Sequence, residues 1–342
     1  MSKLQDLITE KGVLLADGAT GTNFFGMGLE SGNPPEEWNL TLPENVKRLH
    51  RGFIEAGSDI ILTNTFGGNR HRLKLHAFDN QVAEINKAAV RIAQEVAAEV
   101  DRTVIIAGSI GPTGELLAPL GELTYEGAVD AFREQMVALK EAGADALWVE
   151  TMSSPEEMKA AAEAADGLDI PFVLTASFDT AGKTMMGLSP KGLGDLTKEF
   201  KCEPVAIGSN CGVGASDLLA AISELTAAYP DIIVVAKANC GIPQVSGDSV
   251  IYTGTPELME DYVRLAIDVG ARIIGGCCGT ACEHLSRMRY AMDHHERGPR
   301  PSNEVIAART GPFVANLANS NSETEGQAQP RRRRAGGRRR SA

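Results

Sequence analysis

Long apolar runs are absent from this sequence of 342 residues. The longest, such as residues 105–108 and 232–236, are far shorter than the roughly 20 residues that cross a bilayer. The amino-terminal MSKLQDLITEKG also lacks the uninterrupted apolar segment that a secretory signal requires. We therefore expect a cytoplasmic protein without a membrane span.

Acidic residues are absent from the last twelve positions, which contain seven arginines. Without these, 26 of the 33 basic residues remain against 45 acidic ones, a formal charge of −19 that is expected to repel nucleic acid. Residues 314–342 are also poor in apolar side chains. This composition predicts a disordered, arginine-rich tail after one folded domain of residues 1–313. The tail either stays solvated or docks on an acidic partner.

Cysteine is absent from the first 201 residues. In a cytosolic protein, thiols more often bind metals or act in catalysis than form disulfides. The cysteines therefore indicate where the chemistry is to be sought. They are Cys202, Cys211, Cys240, Cys277, Cys278 and Cys282.

Eight short apolar runs rich in valine and isoleucine alternate with longer stretches of helical periodicity. This pattern of repeated strand and helix units predicts a (β/α)8 TIM barrel. The stretches 81–100 and 126–143 are typical of helices, and Gly143 suits a helix C-terminus. The runs begin at Val13, Ile60, Val104, Ala146, Phe172, Ala206, Ile232 and Arg272.

Nearly every run ends in a polar or thiol residue beside glycine. Because barrel enzymes carry their catalytic groups on the carboxyl ends of the strands, these ends predict one shared pocket. Small polar residues also start loops and cap helices, which alone would explain about half of them. The ends are Asp17, Asn64, Ser109, Glu150, Ser177, Asn210 with Cys211, Asn239 and Cys277.

Cys277 and Cys278 lie between glycines in IIGGCCGT, at the end of the eighth run. Neighbouring side chains of a straight strand point to opposite faces, but a bend at these glycines would aim both sulfurs at one point. Cys211, at the end of the sixth run, would enter the same barrel mouth. Three thiolates with an open fourth position are the pattern of a catalytic zinc. The alternatives are buried structural thiols, a vicinal disulfide, and Cys240 as a competing ligand.

A zinc ion held by three thiolates is a weak Lewis acid for water but holds a further thiolate well. Such binding lowers the pKa of a substrate thiol and leaves its sulfur electron-rich. The cysteine set therefore favours transfer of a group to sulfur over hydrolysis.

Asp17 and Glu150 place two carboxylates at the ends of the first and fourth runs. They could act as general acid and base or bind an ammonium group. The second role fits better, because a metal thiolate nucleophile needs no proton abstraction from carbon. The backbone N–H groups of residues 18–22 suit an anion such as a carboxylate. A thiol, an ammonium and a carboxylate together describe a thiol amino acid.

The motifs DGATGTN, TNTFGGN, GSIGPTGE, SNCG and GGCCGT closely resemble those of the homocysteine S-methyltransferases, which include betaine-homocysteine methyltransferase and the homocysteine module of methionine synthase. The resemblance covers about residues 10–295 and implies a (β/α)8 barrel. The zinc ligands and catalytic residues that it implies are Cys211, Cys277 and Cys278. The homocysteine-binding residues that it implies are Asp17 and Glu150 on the amino group, and Gly18, Ala19 and Thr20 around the carboxylate.

The methyl donor is less clearly indicated. Trp38, in PPEEWN, matches the family tryptophan that lines the betaine site, where aromatic rings attract a quaternary ammonium. Two tyrosines of the animal betaine enzymes are replaced by Gly67 and Thr151, which resembles the methionine synthase module. The aromatic residues that could rebuild a cage are Phe24, Phe25, Phe66 and Phe178.

Three functions stay open at this point. The first is a zinc enzyme that methylates homocysteine from betaine or a related small onium donor. The second is the homocysteine-activating subunit of a split cobalamin-dependent methionine synthase, with methylcobalamin on a corrinoid protein partner. The third is a non-catalytic thiol or zinc binder. A D-x-H-x-x-G string at residues 293–298 is read as a chance match, since no cobalamin domain follows it. The oligomeric state is not predicted.

Overall fold

The computed structural model describes residues 2–246 and 249–314. Its strands are β1 (Leu14–Leu15), β2 (Ile60–Leu62), β3 (Ile105–Ile110), β4 (Ala146–Met152), β5 (Phe172–Ala176), β6 (Ala206–Cys211), β7 (Val234–Ala238), β8 (Pro243–Ser246), β9 (Ser249–Tyr252) and β10 (Ile273–Gly276). All but β8 and β9 form one sheet of parallel pairs in the order β1, β10, β7, β6, β5, β4, β3, β2. A parallel bridge between Ala16 and Ile60 links β1 to β2. The predicted (β/α)8 barrel is confirmed.

Helices connect the strands and surround the barrel. They are α1 (Lys3–Lys11), α2 (Gly21–Gly26), α3 (Trp38–Thr41), α4 (Pro43–Glu55), α5 (Arg70–Lys74), α6 (Val82–Ala97), α7 (Tyr125–Glu141), α8 (Pro155–Ala165), α9 (Pro190–Thr197), α10 (Ala215–Ala228), α11 (Pro256–Val269), α12 (Cys282–Asp293) and α13 (Asn303–Thr310). Among these helices, none is long and apolar enough to cross a membrane.

Each of the eight predicted runs contains one barrel strand, and the two predicted helices are α6 and α7. Gly143 follows the end of α7 with a φ of 92°, the left-handed conformation that glycine adopts without strain. The antiparallel hairpin of β8 and β9 was not predicted. It is inserted between β7 and α11, so it lies in a loop at the carboxyl end of the barrel.

The barrel interior is apolar at its amino end. Leu4, Leu7 and Ile8 of α1 belong to the same buried cluster as inward-facing strand residues such as Trp148 and Ile273. This helix therefore closes the bottom of the barrel, and its burial removes apolar surface from water. Access to the interior is left at the carboxyl ends of the strands.

The described part of the chain ends beside the barrel, where the N–H of Val314 donates to the carboxylate of Asp217 at 2.9 Å. The predicted tail of residues 314–342 lies, apart from Val314, outside the described residues.

Candidate metal and substrate site

A cavity of about 530 Å³ opens at the carboxyl ends of the barrel strands, the end that carries catalytic groups in this architecture. The predicted polar strand ends that line it are Asn64, Ser109, Glu150, Cys211 and Cys277. The predicted strand ends that do not line it are Asp17, Ser177, Asn210 and Asn239.

Three of the six thiols meet at the base of this cavity. The sulfur atoms of Cys211, Cys277 and Cys278 all lie within 4.8 Å of one another. Cys211 has a φ of 64°, a left-handed conformation that turns its side chain out of the strand direction. The N–H of Cys277 still donates to the Ala238 carbonyl at 2.7 Å, whereas that of Cys278 donates to the side-chain oxygen of Asn239 at 3.1 Å. The strand pairing thus ends between the two adjacent cysteines, which lets both sulfurs face Cys211.

The charge of the cluster favours a cation. Hydrogen bonds from Cys211 and Cys277 lower the pKa of the Cys278 thiol, and the same sharing raises the pKa of Cys211. Three thiolates at this spacing need a positive charge, and a set of sulfur donors fits zinc rather than magnesium or calcium.

The other cysteines lie apart from this cluster. Cys240 is 1% exposed and belongs to the hydrophobic core between barrel and helices, although its N–H donates to the Cys278 carbonyl at 2.9 Å. Cys202 and Cys282 are partly buried and pack against the same core. Among the described residues, the cluster that could hold a metal contains Cys211, Cys277 and Cys278 but not Cys240.

Asn210 connects the thiols to the fourth strand. It is fully buried, and its side-chain oxygen accepts from the N–H of Thr151 at 2.8 Å and from the hydroxyl of Thr175 at 2.7 Å. Its amide nitrogen donates to the Thr151 hydroxyl at 2.7 Å and lies 3.8 Å from the Cys277 sulfur. Thr151 has a φ of 62°, so this amide holds a residue in a conformation that costs about 1 kcal/mol or more.

If the three thiols hold a metal ion, Asn210→Ala should weaken its binding by roughly 10- to 100-fold, because loss of a group that orients a ligand commonly has that effect. The free energy of unfolding should also fall by about 1–3 kcal/mol, since buried partners lose their hydrogen bonds. Competition with a chromophoric chelator and denaturant unfolding measure the two effects. The control is Asn86→Ala, which removes another fully buried amide, bonded to the carbonyls of Gly68 and Val82. Equal metal affinity in the two variants would contradict a role of Asn210 in orienting Cys277.

Glu150 places a carboxyl group in the cavity near the thiols. It is 7% exposed, and the Ser109 hydroxyl donates to its Oε1 at 2.6 Å. Burial raises the pKa of Glu150 to about 7, although the positive charge of Lys237 opposes this rise. A carboxyl group that titrates near neutrality in a cavity is suited to bind a cationic group of a ligand.

Asp17 is not among the residues that line the cavity, although its strand end predicted this. It is 1% exposed, and its carboxylate accepts from the Leu62 N–H at 2.7 Å and from the ammonium of Lys237 at 2.7 Å. Lys237 itself lines the cavity. Burial lowers the pKa of Lys237, but Asp17 and Glu150 raise it by more. The two side chains therefore form a buried ion pair beneath the site, and its cation borders the cavity.

The turn after β1 contributes backbone to the cavity wall. Gly18, Ala19 and Thr20 line the cavity, but the Ala19 N–H already donates to the Thr280 carbonyl at 3.1 Å. A Cβ atom at Gly18 would lie 2.5 Å from that carbonyl oxygen. Glycine is therefore required for the turn to approach the chain next to the vicinal cysteines.

Trp38 lies outside the cavity. It is 7% exposed and packs on Phe24 with a ring separation of 4.8 Å, so it anchors the segment that follows the first strand. Of the phenylalanines considered for an aromatic cage, Phe25 and Phe66 line the cavity, whereas Phe178 does not. Contact between Trp38 and a methyl donor stays a prediction.

Three side chains around the site were not predicted. Lys237 stands inside the apolar run IIVVAKANCG, and a lysine within a buried strand was the signal that could have found it. Tyr252 of the unpredicted hairpin hydrogen-bonds to Cys278 and thereby helps to lower the pKa of that thiol. Glu36 lines the cavity although it is only 5% exposed; its motif PPEEWN gave no sign of this.

Comparison with known proteins agrees with this geometry. Residues 14–292 match the family model of the homocysteine S-methyltransferases. The methionine synthases of Mycobacterium tuberculosis and Mycobacterium leprae are each 30% identical to this chain, over 315 and 313 residues. These alignments cover 87% and 85% of this chain but 26% and 25% of the relatives. The chain thus spans about a quarter of the length of the curated relatives it matches.

Solved structures show the same fold. The metallated form of the homocysteine methyltransferase MmuM from Escherichia coli superposes with a TM-score of 0.71 at 23% identity, covering 84% of this chain and 99% of that chain. Its apo form gives a TM-score of 0.67. With the family model matched over most of the barrel, this chain belongs to the homocysteine S-methyltransferase family.

Proposed function

We propose that this chain is a zinc-dependent enzyme that forms methionine from homocysteine and a small onium donor such as betaine. The observation that carries the proposal is the cluster of Cys211, Cys277 and Cys278, which opens into the same cavity as Glu150 and Lys237. Zinc held by these thiolates would supply an open position at which a substrate thiol loses its proton and keeps its nucleophilicity.

The remaining cavity groups suit the two charged ends of homocysteine. Glu150 binds the amino group, with its carboxylate oriented by the Ser109 hydroxyl. Asp17 adds negative charge behind this position. It does not contact the substrate itself but accepts a hydrogen bond from Lys237, which borders the substrate. The carboxylate of the substrate lies against the turn of Gly18, Ala19 and Thr20, within the attraction of the Lys237 ammonium. With its amino and carboxylate groups bound in these places, the substrate points its thiol toward the three cysteines.

We expect Glu150→Gln to raise the KM for homocysteine by about 30-fold or more, because breaking one half of a desolvated charge pair costs about 2–5 kcal/mol. The wild-type kcat/KM for homocysteine should fall as the pH is lowered through about 7, where Glu150 gains a proton and loses its attraction for ammonium. The variant should lack this step. Steady-state kinetics between pH 6 and pH 9 measure both effects.

The matched control for this prediction is Glu157→Gln. Glu157 is also a buried carboxylate, but it bonds to the N–H and hydroxyl of Thr113 and does not line the cavity. Its replacement should leave the KM for homocysteine unchanged. An unchanged KM in Glu150→Gln, or zinc loss from it, would remove Glu150 from the substrate site.

The cavity also supports an onium donor. Phe25 and Phe66 line its outer part, and aromatic faces attract such cations. The acidic groups and thiolates give the base of the cavity an excess of negative charge, which favours approach of a cation. In the reaction a sulfur–methyl bond forms, the nitrogen–methyl bond of the donor breaks, and its electron pair stays on nitrogen, so a neutral amine leaves.

A second candidate is the homocysteine-activating subunit of a split methionine synthase, which receives the methyl group from methylcobalamin on a partner protein. One observation favours it: large apolar side chains are exposed on the segments that follow the barrel strands around the mouth. Where such side chains lie together on a surface, they often mark a protein contact. The curated relatives named methionine synthase support the same candidate. The exposed side chains are Phe25, Phe66, Leu75, Leu116, Leu120, Met185 and Met186.

The two candidates differ in the donor that the isolated chain accepts. The test supplies zinc-loaded protein and homocysteine with betaine, S-methylmethionine or methylcobalamin, side by side, and measures methionine. Turnover with betaine or S-methylmethionine supports the first candidate. Turnover restricted to methylcobalamin, or none with any free donor, removes it in favour of the second.

A further inference from the structure

Glu36 is a buried acid that the proposed chemistry at sulfur does not use. It lies in a 3-10 turn, Pro35–Glu37, on the segment that folds over the barrel mouth. Its carboxylate accepts from the Gly67 N–H at 2.6 Å and lines the same cavity as the three thiols. Among the described residues it has no ion-pair partner. Burial raises the pKa of Glu36, because an ionised carboxylate without a counter-ion is costly there, and a cation bound beside it would stabilise the ionised form.

Hydrogen bonds from nearby segments of the same chain fix the position of Glu36. The amide of Asn64 donates to the Pro35 carbonyl at 2.7 Å, and Asn39 donates to the Asn64 carbonyl at 2.8 Å. A Cβ atom at residue 67 would lie 2.9 Å from Glu36 Oε1. The glycine at this position therefore leaves room for the carboxylate, which takes the space that a larger side chain would fill.

Two basic residues near Glu36, Arg72 and His76, line the same cavity at its exposed rim but form no ion pair with that carboxylate. Burial raises the pKa of Glu36, whereas backbone hydrogen bonds and, more weakly, the charges of Arg72 and His76 oppose this rise. In the described part of the chain, the guanidinium of Arg72 forms neither a salt bridge nor a side-chain hydrogen bond. The outer cavity thus offers a buried carboxyl group, two aromatic rings and an unpaired guanidinium at the rim.

We infer that Glu36 and Arg72 determine the specificity for the methyl donor: Glu36 binds the onium charge and Arg72 binds a carboxylate on the same donor. This inference rests on the proposed function. Because the donor loses its positive charge as the methyl group moves to sulfur, Glu36 attracts the bound donor more strongly than the transition state. Its contribution therefore lies in donor binding and not in the rate of the chemical step.

The test compares betaine, which carries both charges, with trimethylsulfonium, an onium without a carboxylate. Zinc-loaded full-length protein is assayed at saturating homocysteine. Glu36→Gln keeps an acceptor for the Gly67 N–H and should raise the KM for both donors by roughly 30-fold, with kcat unchanged or higher. Arg72→Gln should raise the KM for betaine alone. The control is Glu37→Gln, one residue along the same turn and outside the cavity, which should change neither.

The outcomes separate this inference from the proposed function. Methionine formation with an unchanged donor KM in Glu36→Gln would overturn the role of Glu36 and leave the proposed function in place. An equal effect of Arg72→Gln on both donors would overturn the role of Arg72. Absence of turnover with either donor in wild-type protein that still binds zinc and homocysteine would overturn both the onium donor and this inference. Arg72 is exposed, so its variant keeps the test valid if Glu36→Gln fails to fold.

Discussion

Replacing Cys211, Cys277 or Cys278 by serine is expected to abolish zinc binding at stoichiometric concentrations and methionine formation with it. Each removes one of three sulfurs that lie within 4.8 Å of one another. Loss of a group that only orients a ligand costs about 10- to 100-fold in metal affinity, so loss of a ligand itself should cost more. Metal analysis of the purified variants and a methionine assay measure the two effects.

The matched control is Cys240→Ala. Cys240 lies in an NCG motif like that of Cys211, but it is buried and packs in the hydrophobic core. We expect it to keep one zinc per chain and to lose some stability. Full zinc content in all three serine variants would refute the site, and loss of zinc in Cys240→Ala alone would assign it elsewhere.

Lys237→Met is expected to lower the free energy of unfolding by about 3–5 kcal/mol at pH 8, because it leaves the Asp17 carboxylate buried without its cation. An unpaired Asp17 has its pKa raised in the folded state relative to the unfolded chain. The loss should therefore shrink as the pH falls and Asp17 gains a proton. Denaturant unfolding at several pH values measures it.

The double variant Asp17→Asn, Lys237→Met should recover much of this loss, because neither charge then remains buried alone. The control Lys191→Met breaks an exposed ion pair with Asp195 and should cost no more than about 1 kcal/mol. If the loss in free energy of unfolding is independent of pH, or no larger than in Lys191→Met, the buried pair does not stabilise the fold around the site.

The barrel was predictable because it depends on periodicity. Eight apolar runs of strand length alternate with helical stretches, and each run contains one of the parallel strands. The thiol cluster followed from the same argument, since strand ends share one face of a barrel. The glycines beside Cys277 and Cys278 indicated the break in strand pairing that brings the two sulfurs together.

Contacts between side chains inside the site could not be predicted from the periodicity of the sequence. Asp17 follows the first strand as predicted, but its carboxylate pairs with Lys237, 220 residues later in the chain. Glu36 is brought to the cavity by side-chain and backbone hydrogen bonds from Asn64 and Gly67. Such contacts join distant segments and leave no periodic trace in the sequence.

The proposed reaction depends on the sulfur of homocysteine joining the three cysteines at the metal. X-ray absorption at the zinc edge tests it most directly, by counting sulfur neighbours in zinc-loaded protein before and after homocysteine is added. The account predicts three sulfur neighbours without the substrate and four with it. Three sulfurs in both samples, with homocysteine bound at saturation, would contradict the account.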